Sequence, residues 1–370
     1  MGTASSKLVS KDAPETPTTR SPGSSMDGDP RVELDGLLRS TLNNKLQTEE
    51  ALWRLKDCFQ DNLSFELNLQ RVSAPLILLG GTGQNDTNEK IQPVSFSLKT
   101  GETGEIPRAL SRWKRLALSN FNIPVNHGLY VYMNGIRPDE ANLDATHSLY
   151  VDQWDFEIHI TEEQRNTNTL KTVVRKIYKA LLNSAEFIER TYAVSANLPE
   201  NVTFIHSSKL QQQFPHLSAE EREDEICKKH KAVFIIGIGS PLADGKPHGQ
   251  RSTDLDDWSS QTPDGPGLNG DLIVWHSPLN CALELCSMSI RVNSEAMLRQ
   301  IKSRNHEERL KLPFVQSVLS NQLPQTIGGG IGISRVCMFL LQKRHIAEVQ
   351  SSVWPTDMIN EMEKLGIQYL

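Results

Sequence analysis

The 370-residue chain has little that could pair cysteines, span a bilayer or attract a polyanion, and each shortage removes a class of function. Its five cysteines (Cys58, Cys227, Cys281, Cys286, Cys337) are odd in number and scattered. None forms the Cys-x-x-Cys spacing of a structural zinc site, so they read as buried free thiols in a reducing compartment. The longest apolar stretches, such as "APLILL" and "AVFIIGIG", fall far short of the ~20 residues that cross a membrane, and no apolar signal region opens the chain. Lysines and arginines number 39 against 45 aspartates and glutamates, a formal charge of −6. That balance offers no electrostatic footprint for a nucleic acid backbone. The expectation is a soluble, cytoplasmic protein with no nucleic acid as partner.

What is present begins with a polar segment. Residues 1–32 are rich in Ser, Thr, Pro and Gly and cannot bury enough apolar surface to offset their ordering entropy, which predicts a disordered extension ahead of one domain over 33–370. "MGTASSK" fits the Met-Gly-x-x-x-Ser pattern for myristoylation of Gly2, although such matches are common in Ser/Thr-rich tails. A single acyl chain holds a membrane only weakly, so a membrane partner is expected only if Gly2 is acylated.

From Val32 onward, apolar residues at helical spacing (Leu34, Leu37, Leu38, Leu42, Leu46, then Leu52, Leu55, Phe59) predict two helical segments or one broken helix. The alternation Phe65, Leu67, Leu69 predicts a strand that Pro75 confines to a sheet edge or bend. Further strands are expected in "VSFSLK", "LYVYMNGI", "HSLYVDQWDFEIHI", "VTFIHS", "KAVFIIGIG", "DLIVWHS" and "LELCSMSIRV". A long helix over "TLKTVVRKIYKALLNSAEFIERTYAV" separates the two groups, and a Pro/Gly/Asp-rich loop runs from Pro241 to Gly270. Meanders with helices between them predict an α+β fold with a mainly antiparallel β-sheet flanked by helices.

Near the end stands "QTIGGGIGISRVCMFLLQ". A dinucleotide fingerprint fails because Arg335 occupies the place of the third glycine, and no Gly-Lys-Ser/Thr completes a phosphate loop. What remains is Gly328, Gly330 and Gly332 in alternation, then Arg335 in the first turn of an apolar helix. Alternate glycines leave one strand face bare, which suits a flat purine ring beneath a guanidinium. They equally suit a helix packed closely on a sheet, and the motif alone leaves both readings open.

In "HSLYVDQWDFEIHI", period two puts Ser148, Tyr150, Asp152, Trp154 and Phe156 on one side and Leu149, Val151, Gln153, Asp155 and Glu157 on the other. The second face reads as solvated surface or as the floor of a polar site. Arg137, leaving the strand before it in "RPDE", makes a phosphate clamp plausible there.

Together these residues resemble the class II aminoacyl-tRNA synthetase fold and, more closely, the asparagine synthetase A family of aspartate–ammonia ligases. The similarity is carried by "SRWKR", "IRPDE", "HSLYVDQWDFE", "GLNGDLIVW", "LELCSMSIRV" and the glycine-rich ending, and extends over nearly all of 34–370. It implies that the aspartate side chain attacks the α-phosphorus of ATP and that ammonia then displaces AMP from a β-aspartyl-adenylate. Arg137 is implied at the α-phosphate, Arg335 over the adenine or at the terminal phosphate, and Ser148, Val151, Glu284, Ser287, Gly330 and Gly332 around the nucleotide. Asp271 and Glu284 are implied to hold magnesium. Lys114, Gln153, Asp155, Asp256, Arg291 and Asp86 are implied to hold L-aspartate, with Lys114 and Asp86 among the catalytic groups beside Arg137 and Arg335.

Without the resemblance, Lys114 reads as a solvated helix charge between Arg112 and Arg115, Asp254, Asp256 and Asp257 as a hydrated loop, and Asp271 as a turn residue. Asp86 rather than Asn85 is aligned with the acidic position, and Cys286 stands where the family often has serine. Strict alternation separates Glu284 from Ser287 and Arg291, so a bulge or bend is predicted between Glu284 and Ser287. The alternatives are an aspartyl- or asparaginyl-tRNA synthetase paralogue, for which residues 1–31 are too short and polar to supply an anticodon domain, and a silent adenylate-binding relative. A glutaminase domain with an N-terminal cysteine is excluded, since residue 2 is glycine; whether ammonia or glutamine donates nitrogen stays open. The fold resemblance implies a homodimer with its interface on residues 34–72.

Overall fold

The computed structural model describes residue 42 and residues 44–85, 93–140 and 143–370. The N-terminal extension, Gly2, most of the earlier helical spacing and Asp86 lie outside these residues. Helix α1 (Lys45–Leu67) starts where the Asn44 side chain accepts the amide of Gln47 at 2.9 Å and stops at Asn68, whose left-handed backbone (φ 54°) turns the chain. Its buried stripe, Leu55, Phe59, Leu63 and Leu67, repeats every four residues. That run overrides the alternation expected of a strand at Phe65 and Leu67: the helix continues through both, and only Leu69–Arg71 is extended, as β1. Pro75 follows in open chain, before a small three-stranded sheet of Leu78–Leu79, Ser95–Ser97 and Thr103–Glu105.

Next come α2 (Ser111–Asn120), β2 (Gly128–Ile136), β3 (Tyr150–His159) and the long α3 (Thr167–Tyr192). The second half brings β4 (Thr203–His206), α4 (Ala219–His230), β5 (Ala232–Ile236), β6 (Asn269–His276), β7 (Cys281–Ile290), α5 (Ser294–Ser303), β8 (Thr326–Gly332) and α6 (Ile333–Leu340). Among the described residues one eight-stranded sheet runs β1-β2-β3-β8-β7-β6-β5-β4. Only its outer pairs, β1/β2 and β4/β5, are parallel, so the expected mainly antiparallel sheet is present.

Helices α1, α3 and α6 bury one face of this sheet, where Trp154, Phe156, Leu285, Met288 and Ile331 join a continuous core. The other face differs along its width. Val131 and Met133 pack under Leu110 at one end, and Val233, Ile235 and Ile273 under Leu210 and Ile226 at the other. Between these two apolar patches, β3, β8 and β7 present polar and bare backbone, and the candidate site lies there. Among the described residues no helix is long and apolar enough to cross a membrane.

Candidate active site

Strand alternation builds the floor. Trp154 and Phe156 of β3 enter the core, and Gln153, Asp155 and Glu157 take the opposite side. Facing them on β8 are Gly332, Gly330 and Gly328. A methyl group on Gly328 would come within 1.9 Å of Glu157 Oε2, and one on Gly330 within 2.7 Å of both Asp155 Oδ1 and Gln153 Oε1. The bare face is thus partly filled by the chain's own acidic side chains. The expected room for a flat ring is left at Gly332, which with Gly330 lines the open space above.

Helix α2 covers this floor, and it corrects the reading of a solvated charge face: Arg112, Lys114 and Arg115 are all buried. Arg112 Nη2 donates to Asp254 Oδ1 at 2.7 Å, and Arg115 donates to the carbonyls of Val292 (2.8 Å) and Pro324 (3.0 Å). Lys114 Nζ donates to the Gly329 carbonyl at 2.8 Å and lies 3.3 Å from Asp155. Burial lowers the Lys114 pKa and Arg291 adds to the effect, while Asp155 and Glu157 oppose it.

Arg291, just past β7, donates to Glu157 (Nη2 to Oε2, 3.0 Å) and to Asp256 Oδ1 at 2.7 Å. Burial alone would lower its pKa, but the two carboxylates outweigh that and raise it. The aspartate triplet is likewise no hydrated loop. Asp254 is held by Arg112 and Arg309, Asp256 by Arg291, and Asp257 by Arg165, the last at 2.6 Å. Above the floor opens a cleft of about 380 Å³ lined by Arg137, Gln153, Arg251, Asp256, Ser287 and Arg291.

A second compartment of about 170 Å³ is lined by Ser148, Val151, Glu284, Gly332 and Arg335. It shares Arg137, Gln153, Ser287 and Gly330 with the first, so the two are one continuous groove. The predicted bulge is present. Leu272 pairs with Cys286 but Ile273 pairs with Glu284, leaving Leu285 as the extra residue. Leu285 and Cys286 therefore both enter the core, and Glu284 and Ser287 both reach the groove. Arg335, in the first turn of α6, donates to the Glu284 carbonyl at 3.1 Å. A separate cavity of about 460 Å³ beside Arg165 and Arg299 holds none of the predicted site residues.

Residues 46–366 match the family described as aspartate-ammonia ligase. The chain belongs to the aspartate–ammonia ligase family. The aspartate–ammonia ligase of Bacteroides thetaiotaomicron is 48% identical over 329 residues, covering 88% of this chain and 95% of the relative. That of Malacoplasma penetrans is 46% identical over 329 residues, with 88% and 98% covered. Among solved structures, an asparaginyl-tRNA synthetase from Entamoeba histolytica in complex with asparaginyl-adenylate superposes with a TM-score of 0.57 at 13% identity, over 82% of this chain and 66% of that one. One from Pyrococcus horikoshii, also complexed with asparaginyl-adenylate, gives 0.56 at 11% identity, over 83% and 70%. These likenesses show the class II synthetase fold, as expected from the motifs.

For a member of the aspartate–ammonia ligase family, the placement of each implied residue is now plain. Gln153, Asp256, Arg291, Arg137, Ser287 and Gly330 line the first compartment; Ser148, Val151, Glu284, Gly332 and Arg335 line the second. Lys114 and Asp155 lie between α2 and the floor without solvent contact. Asp86 is outside the described residues; its neighbour Asn85 is buried and accepts the amide of Arg108 at 2.9 Å. Asp271 pairs with Arg251, whose Nη2 lies 2.5 Å from each carboxylate oxygen.

Asp271 and Glu284 fit magnesium as hard oxygen donors. Glu284 opens to the groove yet is crowded by protein atoms, and that crowding, then the Asp271 charge, raises its pKa, while Arg335 and Arg251 oppose the rise. Among the described residues no set of three or more His, Cys, Asp or Glu is placed to hold a metal ion. Two participants were missed in the sequence. Glu157 was legible from strand alternation, whereas Arg251 sits in a Pro/Gly/Asp-rich loop that carries no periodic signal.

Proposed function

We propose that the protein joins ammonia to the side-chain carboxyl of L-aspartate in an ATP-dependent, AMP-forming reaction. The observation that carries this reading is the continuous groove: guanidinium and carboxylate groups suited to a small zwitterion at one end, and bare glycine, hydroxyl and guanidinium groups suited to a nucleotide at the other. The family and its relatives named aspartate–ammonia ligase support it.

In the first step a β-carboxylate oxygen attacks the α-phosphorus and the bond to pyrophosphate breaks. Arg137, at the shared wall of both compartments, stabilises the charge that builds on the phosphoryl oxygens. Arg335 holds the nucleotide from the α6 side. Arg291, fixed by Glu157, binds a substrate carboxylate, while Asp256 and Gln153 accept from its ammonium. Lys114 acts as a positioning residue, since its ammonium holds the Gly329 carbonyl and Asp155 from the α2 side. Magnesium, held by Asp271 and Glu284 together with the phosphates, would neutralise charge on the leaving pyrophosphate. In the second step the nitrogen of ammonia attacks the acyl carbon, AMP departs with the bridging oxygen, and the nitrogen's surplus proton is lost.

The test is to supply ATP, magnesium and aspartate with either ammonium or glutamine and to quantify asparagine, AMP and ADP. Asparagine and AMP in equal amounts with ammonium are expected; ADP in place of AMP refutes the adenylate route. Asparagine formed with glutamine alone would make glutamine a donor. Aspartyl transfer to tRNA in the same assay would favour the synthetase alternative, which the charge of −6 disfavours. A homodimer and a cytoplasmic location belong to the same proposal.

A further inference from the structure

Arg251 enters the site from the loop between β5 and β6. His248, three residues earlier, is buried and its Nε2 lies 2.8 Å from Glu223 Oε1 on α4, which anchors that loop to the helix. From this anchor the Arg251 guanidinium reaches both oxygens of Asp271 at 2.5 Å and Ser287 Oγ at 3.3 Å, with Asp256 Oδ2 3.7 Å from Nε. Glu284 acts on the same guanidinium electrostatically. A fixed positive charge thus holds both oxygens of Asp271, one of the two carboxylates assigned to magnesium.

We propose that Arg251 is a built-in stand-in for the divalent cation, which must surrender Asp271 before the metal can be ligated, so that metal is taken up with the nucleotide and not ahead of it. This rests on the reading of Asp271 and Glu284 as metal ligands. Magnesium and manganese bind through few carboxylates plus phosphate oxygens, and a charge-assisted fork on Asp271 competes for the same lone pairs. An incoming triphosphate supplies both what the metal lacks, further oxygen ligands, and what the displaced guanidinium needs, a new anion. Asp256 offers a second landing place nearby.

Manganese binding to the full chain without nucleotide, read by electron paramagnetic resonance of the free ion, tests this. Arg251→Gln removes the charge and should bind Mn²⁺ at least about tenfold more tightly than the wild type, a shift in the competing equilibrium of the size one lost ion pair allows. Arg251→Lys keeps the charge and should stay close to the wild type, which separates loss of charge from damage to the loop. Equal affinity in Arg251→Gln and wild type overturns the proposal. The underlying metal reading has its own control: with a non-cleavable ATP analogue present, Asp271→Asn should weaken Mn²⁺ uptake. If it does not, the metal assignment falls, and the stand-in role with it, whatever Arg251→Gln shows.

Discussion

Asp254 has no solvent contact and sits between the guanidinium groups of Arg112 and Arg309, so its ionisation is coupled to the acid stability of the whole loop. Burial would raise its pKa, but the two arginines and the Ser252 hydroxyl outweigh burial and hold it well below the usual carboxylate range. A depressed folded-state pKa contributes stability that is full above the unfolded value of ~3.9 and is lost as pH falls from there through the folded value. Asp254→Asn should therefore cost about 3–5 kcal/mol at pH 7, because two buried guanidiniums lose their counter-charge. Urea denaturation should show the gap between variant and wild type narrowing at pH 3; a gap that does not narrow would mean the ion pairs are not its source. At this scale the sequence was partly legible. Gln153, Asp155 and Glu157 could be placed on one face because strand alternation is local. Arg112, Lys114 and Arg115 could not, since what buries them arrives from Asp254, Gly329 and Val292, far along the chain.

The strand β8 and the bulge in β7 are where element geometry becomes site geometry. The alternate glycines of β8 are not equivalent. A methyl group at Gly328 would meet Glu157 Oε2 at 1.9 Å and the Phe156 carbonyl at 2.6 Å, and a carbonyl inside a paired strand has nowhere to go. At Gly332 the nearest atom, Arg335 Cβ, is at 3.4 Å, with φ at −65°. Gly328→Ala should therefore lower stability by about 1–3 kcal/mol or more through overpacking. Gly332→Ala should keep stability within about 0.5 kcal/mol while raising the KM for ATP, since it narrows only the compartment proposed for the nucleotide. Thermal melts beside initial-rate kinetics separate the two; a melting temperature lowered equally by both would show that the glycines serve packing alone. The bulge was legible only through the family resemblance, which implies Glu284, Ser287 and Arg291 at one site, a set that cannot share a face on a regular strand. The extent of α1 was not, because the alternation of Phe65 and Leu67 with Leu69, which opens β1, competes locally with the four-residue repeat Leu55, Phe59, Leu63, Leu67 that carries the helix through Leu67.

For the whole molecule, the fold class was legible from motifs spread along the chain, but periodicity does not distinguish a residue that enters the core from one that waits for a second chain. Helix α1 buries Leu55, Phe59 and Leu63 while leaving Trp53 63% and Phe65 82% exposed, and Leu76 is 62% exposed in the segment that follows β1. Apolar side chains of this size left in water are what an association surface would bury. They fall on or directly beside residues 34–72, the stretch from which the fold resemblance implies a two-fold symmetric pair, so each copy would cover the other's Trp53 and Phe65 with the same patch. Trp53→Glu combined with Phe65→Glu places two charges on each side of that axis and costs the folded monomer little, since neither side chain is buried in it. Sedimentation velocity at micromolar protein should give twice the chain mass for the wild type and the chain mass for the double variant, with unchanged circular dichroism. A monomeric wild type would remove the dimer, and a variant that remains dimeric would move the interface elsewhere on the surface.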